Sequence, residues 1–171
     1  MLMDALDVRI LELLQAEGRL ALAELARRVR APRTTVVERV EKLRERGVIR
    51  GFRAVVDPNK LGYKYLAFVL VKARRGGVIG ERSNQELLAN EIVKDCNGDE
   101  ALPWVEEAHI ITGEYDLLLK IWATEWEQLT NFLIRYMPRH RDVSDTHTIL
   151  VLKTTHTSPG VKLPKKEIRK V

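Results

Sequence analysis

Residues 22–51 read LAELARRVRAPRTTVVERVEKLRERGVIRG, and two amphipathic helical patterns on either side of a Pro-containing break organise this stretch. In the first, Leu22, Leu25, Ala26 and Val29 recur at helical spacing. The second runs from Ala31 or Pro32 to Arg46, with Val36, Val40 and Leu43 in one arc and Val37 on its shoulder. Pro32 is tolerated only in a first turn, and Gly47 is a C-terminal stop. The opposite arc holds Thr34, Thr35, Glu38, Lys42 and Glu45, flanked by Arg39 and Arg46. A short helix that turns hydroxyls and cations outward just after a tight break suits insertion into the major groove of DNA.

The residue types suggest how contact would be divided. Thr34 and Thr35 suit base edges or phosphates, Arg39 suits guanine or a phosphate, and Glu38 suits the amino group of cytosine. Arg28, Arg30 and Arg33 surround the turn, where the chain would cross the phosphate backbone, and Lys42 lies on the outward arc. The same charges also suit a solvated face, with Glu38, Glu41 and Glu45 pairing with Lys42 and its neighbours along the helix.

Working outward, Asp4 suits an N-cap, Asp7 falls in the favoured first turn, and Leu6, Ile10, Leu13 and Leu14 form one stripe before Gly18. After the quoted stretch, residues 48–56 (VIRGFRAVV) predict a wing or connecting strand, and Asp57-Pro58-Asn59-Lys60-Leu61-Gly62 carries the turn residues of a domain boundary. The second half changes character. Tyr65 to Lys72 is a strand of the buried type, and Ser83-Asn84-Gln85-Glu86 is a capping box opening a helix with Leu87, Leu88, Ile92 and Val93. Val105 to Thr112 and Tyr115 to Ala123 predict strands joined at Gly113-Glu114. Thr124-Glu125-Trp126-Glu127 predicts a second capping box, for a helix that stops before Pro138, and Val143 to Thr154 a last strand. The order βαββαβ is that of a ferredoxin-like domain, so the fold class is α+β.

The expected layout is a helix-turn-helix domain at 1–50, a connecting strand and linker at 51–62, a ferredoxin-like domain at 63–157, and a basic tail at 158–171 with no fold of its own. Charge follows the same divisions. Residues 1–62 carry 13 Lys and Arg against 9 Asp and Glu, residues 63–157 carry 11 against 14, and residues 158–171 carry 5 against 1. Within residues 25–53 the balance is 10 against 3, a concentration that favours a polyanionic partner. At 45% apolar and 31% charged, the chain is of the ordinary globular class, and no apolar run approaches a membrane span. Its first residues, MLMDALDVRI, place acids where a secretory signal needs bases, so a cytoplasmic location is expected. Cys96, the sole cysteine, excludes an internal disulfide and a Cys-based metal site within one chain, and its place on an apolar helix face predicts a buried small hydrophobe.

No catalytic constellation is present. The chain lacks a P-loop, G-x-S-x-G and H-E-x-x-H, its four histidines lack metal-ligand spacing, and no cofactor motif is found. The run Thr112-Gly113-Glu114-Tyr115-Asp116 suits small-molecule contact: Gly113 admits a close approach to the backbone, Asp116 suits an ammonium group, and Tyr115 suits a pocket wall. It equally suits a tight turn whose Thr and Asp satisfy its own amides.

Taken together, LDVRILELLQAEGR (6–19), LAELARRV (22–29), TTVVERVEKLRERGVIRGF (34–52), DPNKLGY (57–63) and TGEYDLLLK (112–120) resemble the Lrp/AsnC, or feast/famine, transcription regulators in their order along the chain. The resemblance implies a winged helix-turn-helix that binds double-stranded DNA, followed by a ferredoxin-like ligand-sensing domain. It implies dimers through the second domains, often assembled further, and effectors, usually amino acids, between those domains at the T-G-x-Y-D turn. Carried over, the effector residues are Thr112, Gly113, Glu114, Tyr115 and Asp116, with Thr146 and Thr148 on the last strand, and the recognition helix begins at Arg33-Thr34-Thr35. The chain departs from the pattern in three places. Arg30 stands where the family has Gly, Pro32 replaces a Ser cap, and the stretch between Arg74 and Trp104 is longer.

Two other functions fit the same architecture. Siroheme decarboxylases look like this family but carry a His-Asn-Tyr-like run where this chain has Thr112 to Asp116. A sequence-tolerant architectural DNA-binding protein would use the basic tail and show a steep salt dependence.

Overall fold

Asp4 opens the first helix with a reciprocal capping box: its Oδ1 accepts from the Asp7 amide at 2.9 Å, and Asp7 Oδ2 accepts from the Asp4 amide at 3.3 Å. The computed structural model describes residues 3–74 and 83–163. Their contacts separate into one unit made of the chain up to Val56 together with the chain from His156, and a second unit, Asp57–Thr155.

In the first unit, α1 (Ala5–Ala16), α2 (Leu22–Val29) and α3 (Arg33–Glu45) bury Ile10, Leu14, Leu25, Val29, Val36, Val40 and Leu43 in one core. The expected apolar arc of α3 is the face that packs. Between α2 and α3, Arg30 adopts φ 57°, ψ 47°, and the Ala31 amide returns to the Ala26 carbonyl at 3.1 Å. Here the turn holds a side chain in the left-handed region, where Cβ crowds the backbone at a cost of about 1 kcal/mol relative to Gly. Pro32 is the N-cap of α3 with no side-chain hydrogen bond, so the helix proper starts at Arg33, inside the range expected from sequence.

The wing or connecting strand expected over residues 48–56 does not form. Val48 and Ile49 turn back and donate to the Leu43 carbonyl at 2.9 and 3.1 Å, closing the C-terminus of α3. From there to Val56 the chain pairs with no strand among the described residues, and Phe52, Val55 and Val56 are exposed. A strand needs ladder partners as well as β-favouring residues. The tail also departs from expectation. The Val161 amide donates to Gln15 Oε1 at 2.5 Å and Leu163 packs on the first core, so the described part of the tail belongs to the first unit. Residues 164–171 of that tail, and residues 75–82 of the lengthened stretch, lie outside the described residues.

The second unit begins with a 3-10 turn, Pro58–Leu61, capped by Asp57 and ended by Gly62 at φ +95°. It continues with β1 (Tyr65–Ala73), α4 (Asn84–Gly98), β2 (Trp104–Ile110), β3 (Leu117–Ala123), α5 (Trp126–Thr130) and, after a π-helical stretch Asn131–Tyr136, α6 (Met137–Arg139) and β4 (Val143–Leu150). The four strands pair antiparallel in the order β2-β3-β1-β4, the expected ferredoxin-like arrangement. Ser83 and Glu86 make the expected capping box at α4. The second expected box does not form, because the Thr124 amide and hydroxyl both bond to Gln128 Oε1. Nor does Pro138 end the last helix: in the π-helical register the Met137 amide reaches the Phe132 carbonyl, and this wider turn leaves room for the proline ring one residue on.

Alternation along the strands sends Ala67, Val69 and Val71 of β1 and Leu117, Leu119 and Ile121 of β3 into the core with Leu88, Ile92, Cys96, Phe132 and Met137 of the helical layer. Cys96 is the buried hydrophobe expected, and burial, with Asp95 and Asp99 nearby, pushes its thiol up to about 12. No helix among the described residues is long and apolar enough to cross a membrane. Replacing Arg30 by Gly relieves the left-handed strain. The expected outcome is a stabilisation of up to about 1 kcal/mol, measured by calorimetric unfolding of the full chain, with α2 and α3 unchanged in circular dichroism.

Candidate functional site

On α3 the outward side is laid out as the sequence predicts, but its charges are not all free. Thr34, Glu38 and Lys42 are exposed and Thr35 is half-buried. Arg30 and Arg33 are exposed at the mouth of the turn, and neither they nor Lys42 has an ion-pair partner among the described residues. The helical pairs expected between Lys42 and Glu38, Glu41 or Glu45 are not among the ion pairs formed. The first-turn amides of α3 receive no side-chain cap, and no acid lies in that turn, so the positive end of the helix faces outward uncompensated.

Arg39 is placed elsewhere. Its Nη1 lies 2.6 Å from Asp4 Oδ2 and 3.2 Å from Asp7 Oδ1, so it ties α3 to the capping box of α1. Asp7 is almost wholly buried, and Arg39 is its cationic partner. Burial works to raise the Asp4 carboxyl, but the Asp7 amide and Arg39 outweigh it and hold the group below its ordinary range. Arg39, expected to meet a base or phosphate, is engaged in this structure as a clasp within the domain. Arg28 is likewise engaged, by Glu17 and by Glu24 at 2.9 Å, and Glu24 also holds Arg27. Hydrogen bonds from Arg27 and Arg28 lower the Glu24 carboxyl to about 2. The Glu24 pairs with Arg27 and Arg28 follow helical spacing, whereas nothing in the spacing announces the capture of Arg39 by Asp4 and Asp7 or of Arg28 by Glu17.

In the second unit, the Thr112–Asp116 run joins β2 to β3, with Thr112, Gly113 and Glu114 exposed and Gly113 at φ +128°. Asp116 is tied into the sheet. Its amide donates to the Val71 carbonyl at 2.9 Å, its carbonyl accepts from the Ile111 amide at 2.8 Å, and its Oδ2 accepts from the Ala73 amide at 2.8 Å. The carboxylate thus anchors the hairpin to the end of β1 and keeps Oδ1 for a further donor. Tyr115 lies beside His147, ring centroids 6.3 Å apart, and desolvation followed by Glu114 and Asp145 raises its phenol above the ordinary value.

Thr146 pairs with Val71 and Thr148 with Val69, so both share the helix-covered side of the sheet, whereas His147 lies on the other side with Leu70. The turn and Thr146 meet at one end of the sheet across β1, and Thr148 lies further along the strand. Neither of two cavities in this unit, of about 270 and 550 Å³, includes a residue of the turn. Among the described residues no group of His, Cys, Asp and Glu is placed to hold a metal.

The side of the sheet away from the helices is where the buried-type reading of β1 bears on the surface. It presents Leu66, Phe68 and Leu70 of β1, Leu118 and Trp122 of β3, and His147 and Ile149 of β4, with Ile149 48% exposed. The signal was the run YLAFVLVKA of β1, apolar at successive positions as in a strand covered on both faces.

A three-helix DNA-binding unit followed by a ferredoxin-like unit with an exposed Gly-containing hairpin defines a two-part transcription regulator. Family models agree: winged helix-turn-helix DNA-binding over residues 3–50, and the Lrp/AsnC ligand binding domain over residues 66–161. The chain belongs to the Lrp/AsnC family of DNA-binding transcriptional regulators. It is 38% identical over 154 residues to the HTH-type transcriptional regulator FL11 of Pyrococcus abyssi, covering 89% of this chain and 91% of that protein. It is 32% identical over 161 residues to the leucine-responsive regulatory protein of Rhizobium meliloti, covering 94% and 96%. A Neisseria meningitidis transcriptional regulator solved as a complex with L-Met is similar at 25% identity and a TM-score of 0.73, covering 96% of this chain and 97% of that one. All three are named as regulators, which speaks against the siroheme decarboxylase alternative.

Replacing Arg39 by Ala leaves Asp7 buried without its cation. The expected loss is about 1–3 kcal/mol of first-unit stability, measured by denaturant unfolding. Because Asp4 titrates below its ordinary value when folded, its contribution is present above about pH 4 and disappears as the pH falls further. The wild-type chain should therefore lose more stability than Arg39→Ala between roughly pH 5 and pH 3.

Proposed function

We propose that the chain is a sequence-specific regulator that binds pseudo-palindromic DNA as a dimer or higher even-numbered assembly and responds to an amino acid. The observation that carries the DNA half is the start of α3, where exposed Thr34 follows exposed Arg30 and Arg33 in a first turn whose amides receive no side-chain cap. Phosphates find cations and oriented N–H groups there, while Thr34, Thr35 and Glu38 are left for base edges. Glu41 and Glu45 repel phosphates further along the helix, so contact concentrates on the first turns. Two such helices in a symmetric dimer would enter successive major grooves about 34 Å apart.

The effector half rests on two features of the second unit. The open apolar side of the sheet suits a second copy of itself, and the Thr112–Asp116 turn at its end then suits a ligand held between the copies. Asp116 Oδ1 fits an ammonium group and Tyr115 a side-chain wall, with Thr146 and Thr148 as weaker contacts. The L-Met complex of the Neisseria regulator and the name of the leucine-responsive relative support an amino acid. The ligand would act through unequal affinity for two arrangements of the assembly.

Binding-site selection from random DNA supplies the test sequence. Arg33→Ala and Lys42→Ala should each weaken binding to the selected site and to random DNA alike and lower the salt slope by about 1, whereas Thr34→Ala should reduce discrimination between them. If Thr34→Ala and Glu38→Ala leave discrimination intact, α3 is not the reading element. For the second half, Phe68→Glu should give monomers in analytical ultracentrifugation and abolish heat of binding across a panel of amino acids, which Tyr115→Ala should reduce without dissociating the assembly. A Phe68→Glu protein that remains dimeric rejects the open face as the contact.

A further inference from the structure

Residues 158–163 dock on the first unit in a way that their composition does not announce. The Ser158 hydroxyl donates to the Gly160 carbonyl at 2.9 Å, closing a turn around Pro159. Gly160 then lies against Gln15 of α1, where a Cβ would come within 2.9 Å of Oε1. That close approach lets the next amide, of Val161, donate to the same oxygen, and Leu163 packs on the core of α1, α2 and α3. A turn, a glycine, a hydrogen bond and an apolar anchor thus act on one short segment. The second unit is flanked in sequence by two parts of the first, the chain up to Val56 and the chain from His156.

The anchor leads directly into a basic run. Exposed Lys162 is followed by Lys165, Lys166, Arg169 and Lys170, with Glu167 the one acid among them. A single carboxylate offsets one of these five cations, whereas Arg27, Arg28 and Arg39 of the helices are held by Asp4, Asp7, Glu17 and Glu24. The eight residues from Pro164 to Val171 span up to about 26 Å when extended. Helices α1 and α3, of 12 and 13 residues, are roughly 18–20 Å long. From Leu163 the run therefore has the reach to pass beyond the helices of its own unit. The partner that such a run fits is DNA. A duplex carries one negative charge per about 1.7 Å of axis, while residues 63–157 carry 14 acids against 11 bases, too thin an excess to hold it. Because Leu163 ties the run to the unit that binds DNA, its effective concentration at the phosphates is on the order of millimolar. Contacts too weak alone then add to those of the helices.

We propose that residues 164–171 are a DNA-contacting arm, fastened to the DNA-binding unit by the docked segment 158–163 and gripping phosphates that flank the site. Phosphate contacts position a protein without reading sequence, so the arm adds affinity for specific and random DNA alike and leaves discrimination to α3. The inference rests on the first unit being the DNA-binding one, and not on which residues of α3 meet bases.

The test compares the full chain with the four-site variant Lys165→Gln/Lys166→Gln/Arg169→Gln/Lys170→Gln. Each is titrated into a duplex that carries the selected site with a helical turn of flanking DNA on either side, between about 50 and 200 mM salt. With two to four of the cations on phosphates, the salt slope of the variant is expected to fall by about 1.8–3.6. Over that range the wild type then loses about ten- to a hundredfold more affinity than the variant, and the ratio of affinities for selected and random DNA stays the same. A photo-crosslinking residue placed at Glu167, with all four cations kept, should attach to the duplex, a readout independent of how the four-site variant assembles. Undocking by Gln15→Ala/Leu163→Ser, which also keeps every cation, should weaken binding several-fold. Circular dichroism checks that its helices form; should they not, Gln15→Ala alone removes the hydrogen bond to Val161 and serves the same purpose. An unchanged salt slope in the four-site variant, or no crosslink from position 167, overturns the proposal, and full affinity after undocking overturns the anchor. Arg33→Ala in the same titrations probes α3 separately: a lower slope there beside an unchanged four-site slope rejects the arm and leaves the α3 reading standing.

Discussion

The second unit depends on β1 being the central strand of an antiparallel sheet with apolar side chains on both faces. It pairs with β3 on one edge and β4 on the other. Its inward residues, Ala67, Val69 and Val71, are fully buried against the helical layer, while Leu66, Phe68 and Leu70 lie on the opposite face. That two-sided character makes the unit both a domain with its own core and half of a larger one. Because β1 also receives Asp116 at its end through Ala73 and Val71, the hairpin that carries the T-G-E-Y-D run is held by the same strand that organises the core.

The first unit is governed by charge as much as by packing. Its apolar core sets the helices side by side, and the Arg39 clasp onto Asp4 and Asp7 links the entry of α1 to the middle of α3. Arg28 and Arg27 are likewise consumed by Glu17 and Glu24. The basic excess of residues 25–53 is therefore smaller in effect than in number. What remains for DNA is grouped at the start of α3, where the helix dipole and the unpaired Arg30 and Arg33 act together. The strained Arg30 is intelligible in the same terms: Gly would relax the turn but would remove a cation from its mouth.

Periodicity made the helices of the first unit legible almost to the residue, since α2 and the capping box of α1 lie where Leu22 to Val29 and Asp4 predict. The order of strands and helices in the second unit was legible for the same reason, each element having its own apolar period and turn residues. The misses have a common cause. Residues 48–56 have strand composition but no strand to pair with among the described residues, and Pro138 is accommodated by a π-helical register that no local rule announces. The tail finds Gln15 through a contact nearly the length of the chain away.

The sequence by itself determined the local elements, the bipartite layout, the family and the candidate turn, because these follow from spacing and from short motifs with their own chemistry. Only the tertiary structure decided that Arg39 is engaged, because Asp4 and Asp7 reach it from far away in sequence, whereas Arg28 is held both by the distant Glu17 and by Glu24 one helical turn before it. It alone decided that Thr146 and Thr148 lie on the side of the sheet opposite His147, and that Asp116 spends one oxygen on β1. Recognition by a charged group depends on what else reaches it, and that is a property of the packed chain.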